Sequence, residues 1–543
     1  MSEVSGLSQI ERQIMWNRLI AVVEEQAQTL IRTAFSHIVR ECGDLSAGVF
    51  DLQGRMLAQA VTGTPGHVNS MAESVKHFIR HFPVEGMQDG DVYITNDPWM
   101  GTGHLNDYVL VTPAFHDGKL VALFSCTSHL TDIGGVGFGP DGTDVFMEGM
   151  SIPMLKLAGR DGVNETLMAM VRANTRQPVE SEGDVYSLIA CNDVGCRRLA
   201  AMMDEFGLDS LDDLAAHIIE TSRAATLAEI GRLPNGIWRN SMVIDGYDAP
   251  IELVAALSVD EDGIRVDFDG TSPAVRRGIN VPLAYTAAYT CFGLSCAVAP
   301  GIPNNAGSLS CFRVTAPEGS ILNAPRPAAV SSRHIVGQML PDTVFGCLRQ
   351  VIPDRVPAEG TSCLWNMTFR GRRGDSNVDR DEFTVTVTSN GGTGARPDRD
   401  GLSATAYPSG VRGTPVEIIE AAVPLLFRRK ELRPDSGGAG LFRGGHGQII
   451  EIASAEEAEF EILAAFDRID HPPRGRDGGG DGAPGYLGLK SGKALRGKGT
   501  QTVPPGDALV VLTPGGGGLG DPTHRDPEAL ASDRRNGLSA AAE

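Results

Sequence analysis

Two histidines and an aspartate stand close together in a glycine-containing stretch of this sequence. His104 and Asp107 are three residues apart in the segment Gly-Thr-Gly-His-Leu-Asn-Asp, and His129 follows twenty-five residues after His104. Two imidazoles and a carboxylate are a usual ligand set for Zn, Mn or Fe(II) when coordination positions stay open for water or substrate. The same spacing also fits separate, hydrogen-bonded residues at strand ends. Spacing alone therefore leaves both interpretations open.

Strand patterns flank these three residues. The apolar runs Val92–Asn96, Val109–Pro113 and Leu120–Ser128 favour β-strands. The three candidate ligands then fall at or just beyond strand ends, where loops on a rigid scaffold commonly carry chemistry.

The rest of the chain alternates between helical and strand patterns. Ser8 is a candidate cap for a long amino-terminal helix. The predicted helices cover residues 8–40, 71–82, 208–230, 284–298 and 334–351. Further strands are predicted at 47–51, 56–60, 251–259 and 264–268.

These patterns predict an α+β fold, with several domains of mixed helices and sheets and a Gly-rich, mostly β C-terminal region. The change to alternating strands favours a boundary near residue 235. The predicted units are a metal-site domain with a long N-terminal helix (1–235), a central α+β domain (236–428), a Gly-rich β region (429–526) and a flexible tail (527–543).

Composition excludes some classes of function. A formal net charge of -21 over 543 residues argues against nucleic-acid binding, which needs a basic surface. The segment Met1–Ser5 lacks the features of a secretory signal, and no run reaches the ~18 apolar residues of a membrane span. Nine cysteines, an odd number, favour free thiols. We therefore expect a cytoplasmic protein that does not bind membranes.

Glycine runs raise the question of nucleotide binding. The run Gly515–Gly518 has no following Lys-Ser/Thr, and the segment Gly437–Gly440 lacks the strand-to-helix context of a dinucleotide fingerprint. We predict no nucleotide site on this chain and expect the glycines to permit tight turns and close backbone approach.

Several motifs in fixed order carry a family resemblance over roughly residues 8 to 525. The chain resembles the hydantoinase B/5-oxoprolinase family, which also includes subunits of ATP-dependent acetone and acetophenone carboxylases. The resemblance rests on Cys42–Ser46, Gly66–Met71, Asn96–Asp107, Ile302–Gly307, Asn323–Val330, Asp435–Gly440 and Thr513–Pro522. Together these motifs are specific, although each Gly-rich one alone is weak.

The resemblance implies a set of site residues. The resemblance implies a divalent metal, Zn, Mn or Fe. His104, Asp107 and His129 would bind it, with Asp44 as a fourth ligand. Family members usually have Gly-Gly-Thr before the first histidine, whereas this chain has Gly-Thr-Gly, which leaves the histidine in place. His67 is the candidate catalytic or ligand-orienting residue; the alternative is a loop histidine that caps the following helix.

The resemblance also implies a partner and a reaction. An A-type ATPase subunit would use ATP to activate a small substrate, and this chain would complete the reaction within a hetero-oligomer. Three functions stay open: a cyclic amidohydrolase opening a lactam or imide, a ketone carboxylase, and a structural or regulatory subunit with a vestigial metal site. The metal ligands serve the first two equally, while their intact set argues against the third.

Overall fold

The computed structural model of this chain describes residues 8–373 and 382–539, which excludes the Met1–Ser5 segment discussed above. The helices are α1 (Gln9–Thr33), α2 (His37–Arg40), α3 (Pro65–His81), α4 (Glu165–Asn174), α5 (Pro178–Phe206), α6 (Asp212–Ile230), α7 (Leu283–Val298), α8 (Ala306–Leu309), α9 (His334–Gly337), α10 (Leu340–Leu348), α11 (Val416–Ala422) and α12 (Pro527–Arg535).

The strands form four sheets. They are β1 (Leu45–Phe50), β2 (Met56–Gln59), β3 (Val92–Thr95), β4 (Asp107–His116), β5 (Lys119–His129), β6 (Leu155–Gly159), β7 (Gly162–Val163), β8 (Gly236–Ile244), β9 (Ile251–Asp260), β10 (Gly263–Asp267), β11 (Phe312–Thr315), β12 (Trp365–Arg372), β13 (Glu382–Ser389), β14 (Leu425–Leu432), β15 (Gln448–Ser454), β16 (Phe460–Ala465), β17 (Tyr486–Leu489), β18 (Lys498–Val503) and β19 (Ala508–Leu512). This mixture of helices and mostly antiparallel sheets confirms the α+β class.

A seven-stranded antiparallel sheet, in the order β2-β1-β5-β4-β3-β6-β7, holds the candidate metal ligands. Helices α1 and α5 pack on one face, together with Val49 and Phe124. Helix α3 packs on the other face, together with Phe50 and Leu123. Because both faces are buried, β4 and β5 have nearly continuous apolar sequences. The strand ends are thereby fixed from both sides.

The long amino-terminal helix is interrupted, which differs from the prediction. Helix α1 ends at Thr33, and α2 begins at His37. In between, the backbone N–H groups of Phe35 and Ser36 donate to Oδ1 of Asp184 on α5, at 2.7 and 3.1 Å. A carboxylate distant in sequence thus takes N–H groups that a continuous helix would have used. Periodicity within the segment cannot show this.

Other helix boundaries follow local chemistry. The backbone N–H of Glu11 donates to Ser8 Oγ, and the Ser8 N–H donates back to Glu11, which confirms Ser8 as the cap. Helix α3 begins at Pro65, six residues before the predicted start, and so includes His67. The predicted helix 334–351 is divided into α9 and α10, because Pro341 has no N–H and suits the first turn of a new helix.

The central and carboxyl-terminal parts share one large hydrophobic core. This core begins at Ile230, close to the sequence change at 235, although the division into domains stays a prediction. Helices α7 and α10 pack on the sheet β11-β10-β9-β8. In the sheet β13-β12-β16-β18, Met367 pairs with Ala464. Strands from both sides of position 428 therefore join one sheet, a partnership that alternation patterns do not reveal.

Glycine segments near residues 391–394, 437–445 and 515–518 lie against one another. Gly516 N–H donates to the carbonyl of Gly445, and Gly445 N–H donates to the carbonyl of Thr393. A Cβ added to Gly392 would lie 1.9 Å from the Gly445 oxygen, and one on Gly516 would lie 1.9 Å from the Thr393 oxygen. Only glycine permits this backbone approach, as predicted; we call these segments the glycine bundle.

Part of the segment predicted to be a flexible tail is helical. Its flexibility stays a prediction, and its residues 540–543 lie outside the described part of the chain. Residues 527–535 form α12, and Asp533 on it pairs with Arg443 at 3.1 Å and Arg525 at 2.8 Å. These ion pairs join the helix to the glycine bundle, a contact that the charged, Ala-rich sequence did not indicate.

Candidate metal centre

The candidate ligands converge because of strand register. Asp107 is the first residue of β4, His129 is the last of β5, and the two lie directly opposite each other. His104 belongs to the turn that leads into β4, where Gly103 has a φ of +98°. A Cβ at Gly103 would lie 2.7 Å from Arg333 Nε, so a side chain there would displace the guanidinium. The turn thus brings His104 to the paired strand ends.

The three side chains form a compact, buried group. His104 Nε2 lies 2.6 Å and His129 Nδ1 lies 3.3 Å from the same oxygen, Asp107 Oδ1. One ligand atom from each residue lies within 4.8 Å of the others. Ligands about 2.1 Å from an ion are roughly 3.0–3.4 Å apart. The donor set therefore suits a small divalent ion, and its spacing fits one after the closest ligand atoms move slightly apart.

The second carboxylate oxygen of Asp107 is surrounded by donors. Arg333 lies 2.6 Å from Oδ2, the Thr102 hydroxyl donates to it at 2.7 Å, and His67 Nε2 lies 3.0 Å away. Although burial alone would raise the pKa of Asp107, the neighbouring His104, His67 and Arg333 hold it well below its usual range. Asp107 is therefore an anion whose orientation is fixed.

His104 is held as a neutral imidazole. Its Nδ1 lies 2.8 Å from the carbonyl oxygen of Ser331, to which an Nδ1–H donates. Burial and the nearby positive Arg333 lower the pKa of His104 to about 3. A proton on Nδ1 leaves the Nε2 lone pair facing Asp107 Oδ1, 2.6 Å away, and a cation bound by both atoms would satisfy these two electron-pair donors.

A buried glutamate holds the backbone that orients His104. The N–H groups of Val330 and Ser331 both donate to Glu148 Oε1, at 2.7 Å each. Burial raises the pKa of Glu148 to about 8 in spite of these two bonds. Glu148 thereby fixes the Ser331 carbonyl that receives the His104 proton.

Asp44 and His67 lie beside the three-residue group. His67 Nδ1 is 3.6 Å from Asp44 Oδ1, and this oxygen accepts a hydrogen bond from the Thr64 hydroxyl at 3.2 Å. Burial lowers the pKa of His67, but the carboxylates of Asp107 and Asp44 outweigh it, so the net shift is upward. His67 therefore bridges two carboxylates. The roles predicted for it and for Asp44 stay predictions.

These residues line a small cavity of about 20 Å³, which is room for roughly one water molecule. Its walls come from both halves of the chain, namely Asp44, Thr64, His67, His104, His129 and Phe138 on one side of the sequence and Tyr285, Arg333, His334, Gln338, Leu364, Asn366 and Val411 on the other.

Comparison with known proteins identifies the family of this chain. The sequence profile of the hydantoinase B/oxoprolinase family matches residues 8–522. The chain belongs to this family. It is 30% identical to 5-oxoprolinase 1 of Arabidopsis thaliana over 94% of its own length, but spans only 42% of that protein. It is 28% identical to the caprolactamase subunit beta of Pseudomonas jessenii, covering 95% of this chain and 91% of that subunit.

Two solved structures share the fold of this hydantoinase B family member. The ATP-dependent caprolactamase of Pseudomonas jessenii superposes with a TM-score of 0.90 at 26% identity, over 99% of this chain and 95% of that one. A nucleotide-free acetone carboxylase superposes with a TM-score of 0.84 at 20% identity, over 97% and 78%. The latter likeness concerns the fold alone.

Sequence reasoning about this family member missed several wall residues. Arg333 and His334 were not recognised, although an adjacent Arg-His pair in a mostly apolar stretch was an available signal. Phe138 and Tyr285 carry no such signal, because aromatic residues are ordinary core residues.

In residues 8–373 and 382–539, no helix is long and apolar enough to cross a membrane.

Proposed function

We propose that this chain is the metal-containing B-type subunit of an ATP-dependent cyclic amidohydrolase, which opens a lactam or imide activated by an A-type ATPase subunit. The observation that carries this proposal is the buried group of His104, Asp107 and His129, whose two imidazoles line a small cavity. Its imidazole and carboxylate donors suit Zn, Mn or Fe(II).

Each residue has a definable part in binding the ion. Arg333 occupies Asp107 Oδ2 and leaves Oδ1 facing both imidazoles. Ser331 fixes the His104 tautomer that offers Nε2. A bound divalent ion would lower the pKa of water towards neutrality and polarise a carbonyl or imidate. His67, held between two carboxylates, can carry a proton beside the site.

The partner and the oligomer are part of the proposal. The caprolactamase relative is named as a subunit, and the solved caprolactamase is described as ATP-dependent. Both names support an A-type subunit that uses ATP. An activated intermediate would be lost to bulk water, so a closed hetero-oligomer joins the two sites.

The relatives favour the hydrolase over the ketone carboxylase. The chain covers 95% of the caprolactamase at 26% identity but 78% of the acetone carboxylase at 20%. Screening ATP turnover of the co-expressed complex against lactams, hydantoins and ketones with bicarbonate separates the two.

The decisive variant is His129→Ala. Loss of one ligand should lower bound metal to well under one ion per chain and abolish ring opening, while circular dichroism stays normal. His116→Ala is the matched control, because His116 lies at the other end of β4 against Asp204. Stoichiometric metal and normal turnover in folded His129→Ala protein would place the site elsewhere.

A further inference from the structure

His334 is a buried histidine whose ring has no hydrogen-bonding partner. It begins α9, is 3% exposed, and neither ring nitrogen meets a partner within the described residues. Buried polar groups are nearly always paired, and a neutral imidazole offers one donor and one acceptor. Its ring lines the same cavity as His104 and His129. The side chain is therefore available to whatever enters that cavity.

His334 lies near the proposed metal ligands without being one of them. The group of mutually close ligand atoms contains His104, Asp107 and His129. The Phe138 ring contacts all three imidazoles, with centroid distances of 5.8 Å to His104, 4.8 Å to His129 and 5.7 Å to His334. His334 thus faces the cavity beside the group and offers its nitrogens to a different atom.

The charge state of His334 suits hydrogen bonding better than proton abstraction. Burial, the adjacent Arg333 and the imidazoles of His104 and His129 lower its pKa well below the usual value, against the opposing Asp107. A neutral imidazole keeps an acceptor nitrogen but is a weak base. A second buried acceptor, Asn366 Oδ1, also has no partner and belongs to a residue on the same cavity wall.

We infer that His334 and Asn366 recognise the ring nitrogen of a cyclic secondary amide. The imidazole and the Asn366 oxygen accept from the lactam N–H, and the imidazole N–H donates to the nitrogen once activation to an imidate has removed that proton. A lactam carries an N–H beside its carbonyl, whereas a ketone or a lactone of the same size carries none. This inference rests on the proposed hydrolase function and extends it, because it states which feature of the substrate the cavity selects. An unpaired acceptor on the wall penalises ligands that lack the N–H.

Histidine resonances of the wild-type complex test the contact directly. The chain is produced with isotope-labelled histidine, loaded with Zn and co-purified with its partner subunit; the His334 signal is assigned by its loss in His334→Gln. Pyrrolidone should shift this signal, whereas N-methylpyrrolidone and butyrolactone should not. The inference is overturned if the His334 signal does not shift with pyrrolidone while the complex opens the pyrrolidone ring. It is also overturned if the signal shifts on addition of Zn in the way expected of a metal ligand.

Turnover supplies a second, independent measurement. His334→Leu should lower kcat/KM for pyrrolidone about 10- to 100-fold, the effect of one lost hydrogen bond, and His334→Gln should restore part of it. Metal content should stay at the wild-type value in both variants. His217→Leu is the control, because His217 lies on α6 and packs against Trp16, away from the cavity.

The two failures are distinguishable. Absence of ATP-dependent opening of any lactam by the wild-type complex would refute the proposed function. If lactams are opened but His334→Leu turns pyrrolidone over like the His217→Leu control, only the role of His334 is refuted.

Discussion

Removing the guanidinium of Arg333 tests how the candidate centre is held together. Arg333 is 2% exposed, lies 2.6 Å from Asp107 Oδ2, donates to the Thr102 carbonyl at 2.9 Å, and stacks 4.1 Å from the Tyr285 ring centre. Arg333→Met keeps most of the side-chain volume and leaves Asp107 as a buried anion. Breaking a buried pair on one side costs about 3–5 kcal/mol of unfolding free energy.

Urea unfolding of metal-free protein measures this cost, and Arg18→Met is the matched control. Arg18 also pairs with a carboxylate, Glu205, at 2.7 Å, but the two side chains are 54% and 53% exposed. An exposed pair contributes about 0–1 kcal/mol, so the control should be nearly neutral. Equal losses in both variants would refute the reasoning. Adding Zn should reduce the loss in Arg333→Met, because the ion gives Asp107 another positive partner; an unchanged loss would contradict a shared carboxylate.

Three further predictions follow from other residues. Because the folded-state pKa of Glu148 is about 8, above its ordinary 4.5, its contribution to stability is complete below pH 4.5 and is lost as the pH rises through 8. In wild-type protein this fall in unfolding free energy should be up to about 1.4 kcal/mol per pH unit between pH 5 and 8. Parallel urea titrations should show that Glu148→Gln removes this pH dependence. Gly445→Ala would place a Cβ 2.0 Å from the Leu402 oxygen and should cost about 3 kcal/mol or more, whereas Gly86→Ala, with open space around it, should stay within about 0.5 kcal/mol. The isolated chain should not bind Mg-ATP in calorimetry, and micromolar binding would contradict the division of labour between the subunits.

Much of the metal-site region could be predicted because its determinants are local. Strand patterns around Asp107 and His129 place both residues at strand ends, and the register then brings them together. The interruption after Thr33 could not be predicted, because the group that causes it, Asp184, is far away in sequence. A local sequence pattern indicates helices and strands. It does not indicate which distant side chain accepts hydrogen bonds from their backbone N–H groups.

The same distinction applies to the cavity. Arg333 and His334 reach the centre from the second half of the chain, at the start of α9. The apolar pattern that predicts a helix over 334–351 does not show which distant site its first residues face. The resemblance supplied the ligand set, while the residues that orient and surround it became visible only through tertiary contacts such as Ser331 to His104.

The glycine bundle has a consequence for how order in this protein can be measured. Its segments belong to no helix or strand, yet their amides donate across the bundle, as Gly438 does to the carbonyl of Gly516 and Gly516 does to the carbonyl of Gly445. Far-ultraviolet circular dichroism would register such residues as irregular. Amide hydrogen exchange depends on bonding and burial instead, so these glycine amides should exchange as slowly as those of the neighbouring strands.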